Sequence, residues 1–421
     1  MKERKLTFID LFAGCGGLSE GFLQSGYFEG LAHVEWELPM VETLRNRLIS
    51  KWKHTDDEAK MRTVYFDIQK TEELINGNWT VETKKKFALK NHELIVNKGL
   101  KGLLNNEKVD IIIGGPPCQA YSIHGRATDK NSMRYDYRNF LFESFAKIVN
   151  EFKPKVFVFE NVPGILTANP GGIPIKERIY DEFHKIGYKI LTPSELNKGL
   201  FDCSEFQVPQ NRKRVLIIGI KENSKFDLND FYKKIFEKAN KVNKKTVKDA
   251  IGHLPKIMPL PTPLKIEGKN VSHFSKKNNY DFHVARYHNV RDVKIFKRWV
   301  EEKMNYISHH EKVKFYEEMT SKKTLYSKYR SLEWEKQSYT IVAHLQKDGL
   351  MFIHPDSNQA RSITVKEASL LMTFPDDFKF CGSNAICYKM IGNAVPVLFA
   401  KYISESIFEV INNKQKITNN K

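Results

Sequence analysis

In the first half of the chain, short apolar runs each stop on a polar or glycine- and proline-rich loop, and helical periodicity fills the intervals. Leu6 to Phe12 ends in Ala13-Gly14-Cys15-Gly16-Gly17, after which Leu18 to Ser25 reads as a helix. Leu31 to Val34 is a second run. Val109 to Ile113 is stopped by Gly114-Gly115-Pro116-Pro117, and Val156 to Phe159 by Glu160-Asn161-Val162-Pro163-Gly164, with helical spacing from Phe140 to Phe152 between them. Val215 to Ile220 is a further run. Short runs separated by helices predict an α/β fold with a doubly wound, mostly parallel sheet. In such sheets ligands bind beyond the carboxyl ends of the strands, where these loops fall.

Two segments break the rhythm. Lys70 to Glu107 is polar and lysine-rich, with Lys84-Lys85-Lys86, and reads as a helical or looped surface insertion. From Lys221 to about His354 the chain turns basic and aromatic, with Pro255, Pro259, Pro261 and Pro263, which suggests a second, smaller domain. The expected division is 1–220, 221–385 and a C-terminal segment 386–421 returning to the first domain. In that last segment Ile391-Gly392-Asn393-Ala394-Val395-Pro396 opens an apolar helix, Val397 to Val410, before a polar tail.

Composition narrows the class. A formal net charge of +18 favours a polyanionic partner, although a lysine-rich source would give the same excess. No apolar run reaches the roughly 18 residues of a membrane span, and Asp10 interrupts the apolar N-terminus, which argues against a signal peptide. The five cysteines, Cys15, Cys118, Cys203, Cys381 and Cys387, are scattered and unpaired in spacing. That fits neither a disulfide framework nor a metal site, and points to a reducing cytoplasm without a bound metal.

The first loop has the make-up of a cofactor site. Gly14 and Gly16 let a ligand lie against the backbone, and Glu35, about twenty positions after Gly14, is placed to accept ribose hydroxyls. Ser19 stands where a dinucleotide fingerprint needs its third glycine, and no P-loop lysine is present. A cofactor with a ribose but no diphosphate explains both departures, and S-adenosylmethionine is such a molecule. Trp36 is placed to stack on its adenine and Asp67, in Phe66-Asp67-Ile68, to accept from the adenine amine. Taken alone, a structural glycine turn beside satisfied surface acids accounts for the loop equally well.

The second loop carries a thiol. Cys118, straight after Pro116-Pro117, is held on a stiff segment at the end of a strand, and nearby positive charge activates such a thiol as a nucleophile. Glu160 ends the next strand and is expected to face the same crevice. Arg212 and Arg214, in Gln210-Asn211-Arg212-Lys213-Arg214, share one face of an extended segment. Each has a plain alternative: a loop thiol, a capping acid, a solvated basic run.

Asp10 to Gly17, Gly115 to Ser122, Glu160 to Val162, Gln210 to Arg214 and Gly392 to Pro396 together resemble the ordered motifs of cytosine-specific DNA methyltransferases, the bacterial restriction-modification type. Arg361 to Ala368, running to Phe374-Pro375-Asp376-Asp377-Phe378, resembles another of them. The segments Lys70 to Glu107 and Lys221 to Tyr339 lie outside the shared motifs. The resemblance implies a Rossmann-like, S-adenosylmethionine-dependent catalytic domain (1–220), a target-recognition domain (221–385) and methyl transfer to carbon 5 of cytosine, with S-adenosylhomocysteine as product. It implies Cys118 as nucleophile, Glu160 as the active-site acid, and Arg212 and Arg214 as active-site arginines. It places Asp10, Phe12, Gly14, Gly16, Glu35, Trp36, Asp67, Ile68 and Asn393 at the cofactor; Pro117, counted with them, also matches a residue touching the target base. No key position departs from the family pattern.

The chemistry needs these groups. Thiolate addition at carbon 6 makes carbon 5 enamine-like. A protonated Glu160 hydrogen-bonds ring nitrogen 3 and the exocyclic amine, which requires a pKa raised by burial, while Arg214 either holds the ring carbonyl or orients Glu160. The base must be flipped out of the duplex, and the loop from Cys118 to about Arg138 is expected to close over it. Thr246 to Leu345, with His283 to Asp292 and Tyr326 to Arg330, is the expected reader of DNA. The expected partners are double-stranded DNA and a separately acting restriction endonuclease, with no membrane. The expected state is a monomer in a bacterial cytoplasm, at the nucleoid through DNA. Two rivals are an RNA cytosine methyltransferase, which the long segment between Val215 and Arg361 argues against, and a non-catalytic DNA-binding regulator, which the retention of Cys118 and Glu160 argues against.

Overall fold

The computed structural model describes residues 4–117, 141–239, 241–276 and 279–419. Cys118 and the loop through Arg138 lie outside the described residues.

Strands β1 (Leu6–Leu11), β2 (Phe28–Glu35), β3 (Thr63–Tyr65), β4 (Ile111–Gly114) and β5 (Val156–Asn161) lie parallel in the order β3-β2-β1-β4-β5. β6 (Tyr188–Lys189), β7 (Leu200–Asp202) and β8 (Lys213–Lys221) complete an eight-stranded sheet; β8 is antiparallel to β5, and β6 and β7 pair antiparallel with β8. The mostly parallel α/β sheet expected from the sequence is therefore present. Every residue of β1, β4 and β5 is buried, which is why these strands read as unbroken apolar runs rather than alternating ones. The chain passes from β1 to β2 on one side and to β4 on the other, so the order reverses beside β1. The carboxyl ends of β1 and β4 open the crevice that such a reversal creates.

Helix Gly17–Gln24 follows β1 and packs on the C-terminal helix Val397–Asn419, which runs past the expected Val410. Lys70 to Glu107 is not a surface insertion throughout. It forms helices Thr71–Asn76, Val81–Phe87 and Glu93–Leu104; Trp79, Phe87 and Leu100 are core, and Lys84, Lys85 and Lys86 are exposed.

The chain groups into two compact units, 1–206 with 212–243 and 394–421, and 207–211 with 244–393. The first break lies beyond the expected 220/221, because helix Leu228–Ala239 packs on Val397–Asn419 and on β8, and Lys238 pairs with Glu405 and Glu409. The second unit holds a hairpin, β9 (Met258–Ile266) and β10 (Lys269–Phe274), turned at Glu267-Gly268 with positive φ at both. Its core gathers Ile295, Phe296, Trp299, Phe315, Tyr329 and Ile353. The motif at Arg361 is architectural here: the guanidinium pairs with Glu367 at 2.6 Å, both groups fully buried, and Glu367 also closes a capping box with Thr364. That pairing, with desolvation opposing it, holds the Glu367 carboxyl well below the carboxylate range.

Candidate active site

A cleft opens beyond the carboxyl ends of the parallel strands in the first unit. Phe12 comes from the end of β1, Glu35 and Trp36 from β2, Phe66 to Gln69 from β3, and Pro117 from beyond β4; Val34 and Leu141 complete the lining. Six residues named from the sequence thus meet there: Phe12, Glu35, Trp36, Asp67, Ile68 and Pro117. Gly14 stands just behind, its amide donating to Glu35 Oε2 at 2.8 Å. Phe12, Gly14 and Gly16 all have positive φ, so the turn after β1 is tightly wound and Phe12 adopts a backbone state costly for a side-chain-bearing residue.

Asp10 and Asn393 are not in the lining. Asp10 is buried within β1, where Ser19 Oγ donates to its Oδ2 and contacts His33 Nδ1 at 2.8 Å. This explains the serine at the third fingerprint position: it satisfies one oxygen of a buried acid. Asp10 Oδ1, equally buried, has no hydrogen-bond partner among the described residues. Asn393 is exposed at the end of helix Asn384–Asn393, in the second unit.

Electrostatics favour a cation or donor in this cleft. Burial pushes the Asp10 carboxyl up to about 7, with the nearby Glu35 adding to the rise. Burial likewise raises Glu35 to about 7, against amides of Glu37, Gly14 and Trp36 that stabilise its charged form. Burial lowers His33 to about 3, keeping it neutral. Among the described residues the lining carries two acids, Glu35 and Asp67, and no basic group; a phosphate would meet like charge there. An aromatic, acid-lined cleft with a buried carboxylate oxygen behind it fits a cationic, ribose-bearing cofactor. Sequence reasoning missed Val34, Phe66, Gln69 and Leu141 as lining. Their signal was faint: Phe66 and Gln69 flank the acid already named.

Two further residues named from the sequence, Glu160 and Arg214, meet at the end of β5. Glu160 Oε1 lies 2.6 Å from Arg214 Nε, both side chains about nine-tenths buried. The pair is close yet not aligned as a directed hydrogen bond, so Glu160 keeps accepting capacity. The antiparallel course of β8 is what brings them together, since Glu160 pairs with Leu216 and Asn161 with Val215. A parallel β8 would place Arg214 at the far end of the sheet. The two arginines part company: Arg212, 1% exposed, donates to the Ala394 carbonyl at 2.9 Å.

The strand leading to Cys118 is fixed against Glu160. A Cβ on Gly115 would sit 2.6 Å from Glu160 Oε2, so any side chain there would push the Glu160 carboxylate out of its place. Asn161 Nδ2 donates to the Pro116 carbonyl at 3.3 Å. Cys203 is buried near Arg214, Arg212 and Glu160, and burial drives its thiol up to about 12, against thiolate formation. No group of residues able to hold a metal is found among the described residues.

Known proteins are similar to this chain over most of its length. The profile of the family described as C-5 cytosine-specific DNA methylase matches residues 6–77 and 58–409. The Type II methyltransferase M.Bpa9945I of Bacillus paralicheniformis is 33% identical over 451 residues, covering 97% of this chain and 99% of its own. The Type II methyltransferase M1.HphI of Haemophilus parahaemolyticus is 27% identical over 410 residues, covering 97% and 88%. Among solved structures, a candidate DNA modification methyltransferase encoded within a prophage (E. coli) aligns with TM-score 0.60 at 25% identity, covering 97% of this chain and 100% of that one. The Dnmt2 methyltransferase of S. pombe aligns with TM-score 0.53 at 12% identity, covering 97% and 100%, a likeness of fold alone.

Proposed function

This chain belongs to the C-5 cytosine-specific DNA methylase family, and we propose that it methylates a cytosine flipped out of a short duplex sequence, through a covalent Cys118 adduct, with S-adenosylmethionine as donor. The observation that carries the reading is the acid-lined cleft at the strand ends, adjoining the close Glu160–Arg214 pair.

Phe12, Glu35, Trp36, Asp67 and Ile68 would hold the cofactor, with Gly14, Gly16 and Asp10 behind them. When bound, it supplies an electrophilic methyl group on a sulfonium sulfur. Cys118 thiolate adds to carbon 6 of the ring, and the displaced electron pair makes carbon 5 nucleophilic. Glu160 bonds ring nitrogen 3 and the exocyclic amine as charge builds there. Arg214 orients Glu160; Arg212 braces the chain at Ala394. Once carbon 5 carries the methyl group, water or hydroxide removes its proton, the carbon–sulfur bond breaks, and the ring double bond re-forms. Pro117 borders the base, the loop to about Arg138 covers it, and the segment Thr246 to Leu345 reads the target sequence. No helix among the described residues is long and apolar enough to cross a membrane. We place the enzyme in the bacterial cytoplasm, at the nucleoid, as a monomer that protects DNA from a separate restriction endonuclease.

The test uses random-sequence duplexes containing 5-fluorocytosine, whose fluorine cannot leave as a cation. A denaturing gel should show the chain bonded to DNA only when S-adenosylmethionine and Cys118 are both present. An adduct with Cys118→Ser, or turnover without one, contradicts the mechanism.

A further inference from the structure

Phe66 lines the cleft and at the same time packs on the lysine-rich segment behind it. Its ring centroid is 4.5 Å from Trp79 and 5.2 Å from Phe87, and Phe87 also meets Tyr65 at 5.1 Å. Trp79 is itself pinned, donating Nε1–H to the Glu73 carbonyl at 2.9 Å. Asn91 takes both backbone groups of Tyr65, accepting from its amide at 2.9 Å and donating to its carbonyl at 2.8 Å, and donates to the Phe87 carbonyl as well. Thr71 Oγ1 donates to the Ile68 carbonyl at 2.8 Å, and the Lys70 amide to the Asp67 carbonyl at 3.0 Å.

The need for such support follows from the sheet. β3 is three residues long and lies at the edge, paired with β2 alone. So short an edge strand fixes little of the loop that follows it. We infer that Trp79 and Phe87 are positioning residues for the cofactor, setting Phe66, and through it Asp67 and Ile68, from the rear of the cleft. The inference rests on the reading of this cleft as the S-adenosylmethionine site, and gives the segment 71–104, outside the shared motifs, a part in the reaction without touching the reactants.

The test is calorimetric titration of the full-length enzyme with S-adenosylhomocysteine, paired with steady-state methyl transfer. Trp79→Ala should weaken binding of S-adenosylhomocysteine and raise the KM for S-adenosylmethionine by about tenfold, since small displacements of positioning groups are costly, while kcat at saturating cofactor stays within about twofold. Trp79→Phe, which keeps an aromatic ring against Phe66, should recover most of the loss. Phe87→Leu, a milder change, should weaken binding severalfold and keeps the test open if Trp79→Ala fails to fold. Variants that fold and bind the product as tightly as the unaltered enzyme, or that lose kcat at unchanged KM, overturn the inference alone. If the unaltered enzyme binds no S-adenosylhomocysteine, the reading of the cleft falls, and this inference with it.

Discussion

The strand-end site of the first unit and the Arg361 motif of the second bury charge in opposite ways. In the second, Arg361 and Glu367 meet at 2.6 Å; the guanidinium also donates to Gln359 and the Ser362 carbonyl, and the carboxylate accepts the Thr364 amide. His354 lies 3.5 Å from the same carboxylate. In the first, Asp10 keeps one buried oxygen without a partner among the described residues, and Glu160 faces Arg214 in a close but unaligned pair. A satisfied buried ion pair is architecture; an incompletely satisfied one is where a ligand fits. Both were named from the same set of motifs, and only geometry separates them.

The comparison breaks if the incomplete pair turns out structural. Glu160→Gln keeps the shape and should cut kcat by about 10²–10⁴-fold, the range of a lost acid–base contact, with DNA affinity and melting temperature nearly unchanged. A large loss of stability would move Glu160 to the architectural side. Glu367→Gln should do the reverse: denaturant unfolding should show a loss of about 3–5 kcal/mol, because it leaves Arg361 buried beside a neutral amide.

Acid and base responses sharpen the contrast. In the second unit burial lowers His273 to about 4 and His288 and His354 to about 3. Their contribution to stability is complete above the unfolded histidine pKa near 6.5, and is lost as pH falls from there toward 3–4, because the unfolded chain takes up protons first. The two cleft acids of the first unit run the other way. Asp10 and Glu35, raised to about 7, contribute stability below about pH 4 that is lost as pH rises through 7. Binding a cationic cofactor favours their ionised forms. Affinity for S-adenosylmethionine should therefore rise severalfold between pH 6 and 8, with release of protons measurable by titration in buffers of different ionisation enthalpy. Asp10→Asn should flatten that rise. The smallest effect is expected at Lys84 and Lys85, exposed on helix Val81–Phe87; changing both to Gln should alter stability by under about 0.5 kcal/mol each.

How much of this was legible from sequence follows the same division. Glu35, Trp36 and Asp67 are legible because strand ends in a parallel sheet converge by topology, so position along the chain nearly fixes position in space; Pro117 is legible only through the family resemblance. Arg214 was found for an incomplete reason: it reaches Glu160 only because β8 runs antiparallel, and strand direction leaves no mark in a single apolar run. Trp79 and Phe87 were hidden in a segment whose lysines suggested surface, since their partner, Phe66, is set by tertiary packing. The break at 243/244 was obscured because helix Leu228–Ala239 is as lysine-rich as the segment after it.

The central claim is that Cys118 and the groups around Glu160 methylate carbon 5 of cytosine in DNA. The direct measurement is base-resolution methylation sequencing of a bacterial host lacking that mark, expressing either this chain or its Cys118→Ser variant. The account predicts 5-methylcytosine at one short sequence in the first host and none in the second. The mark appearing in both hosts, or in neither while the protein is folded, would contradict it.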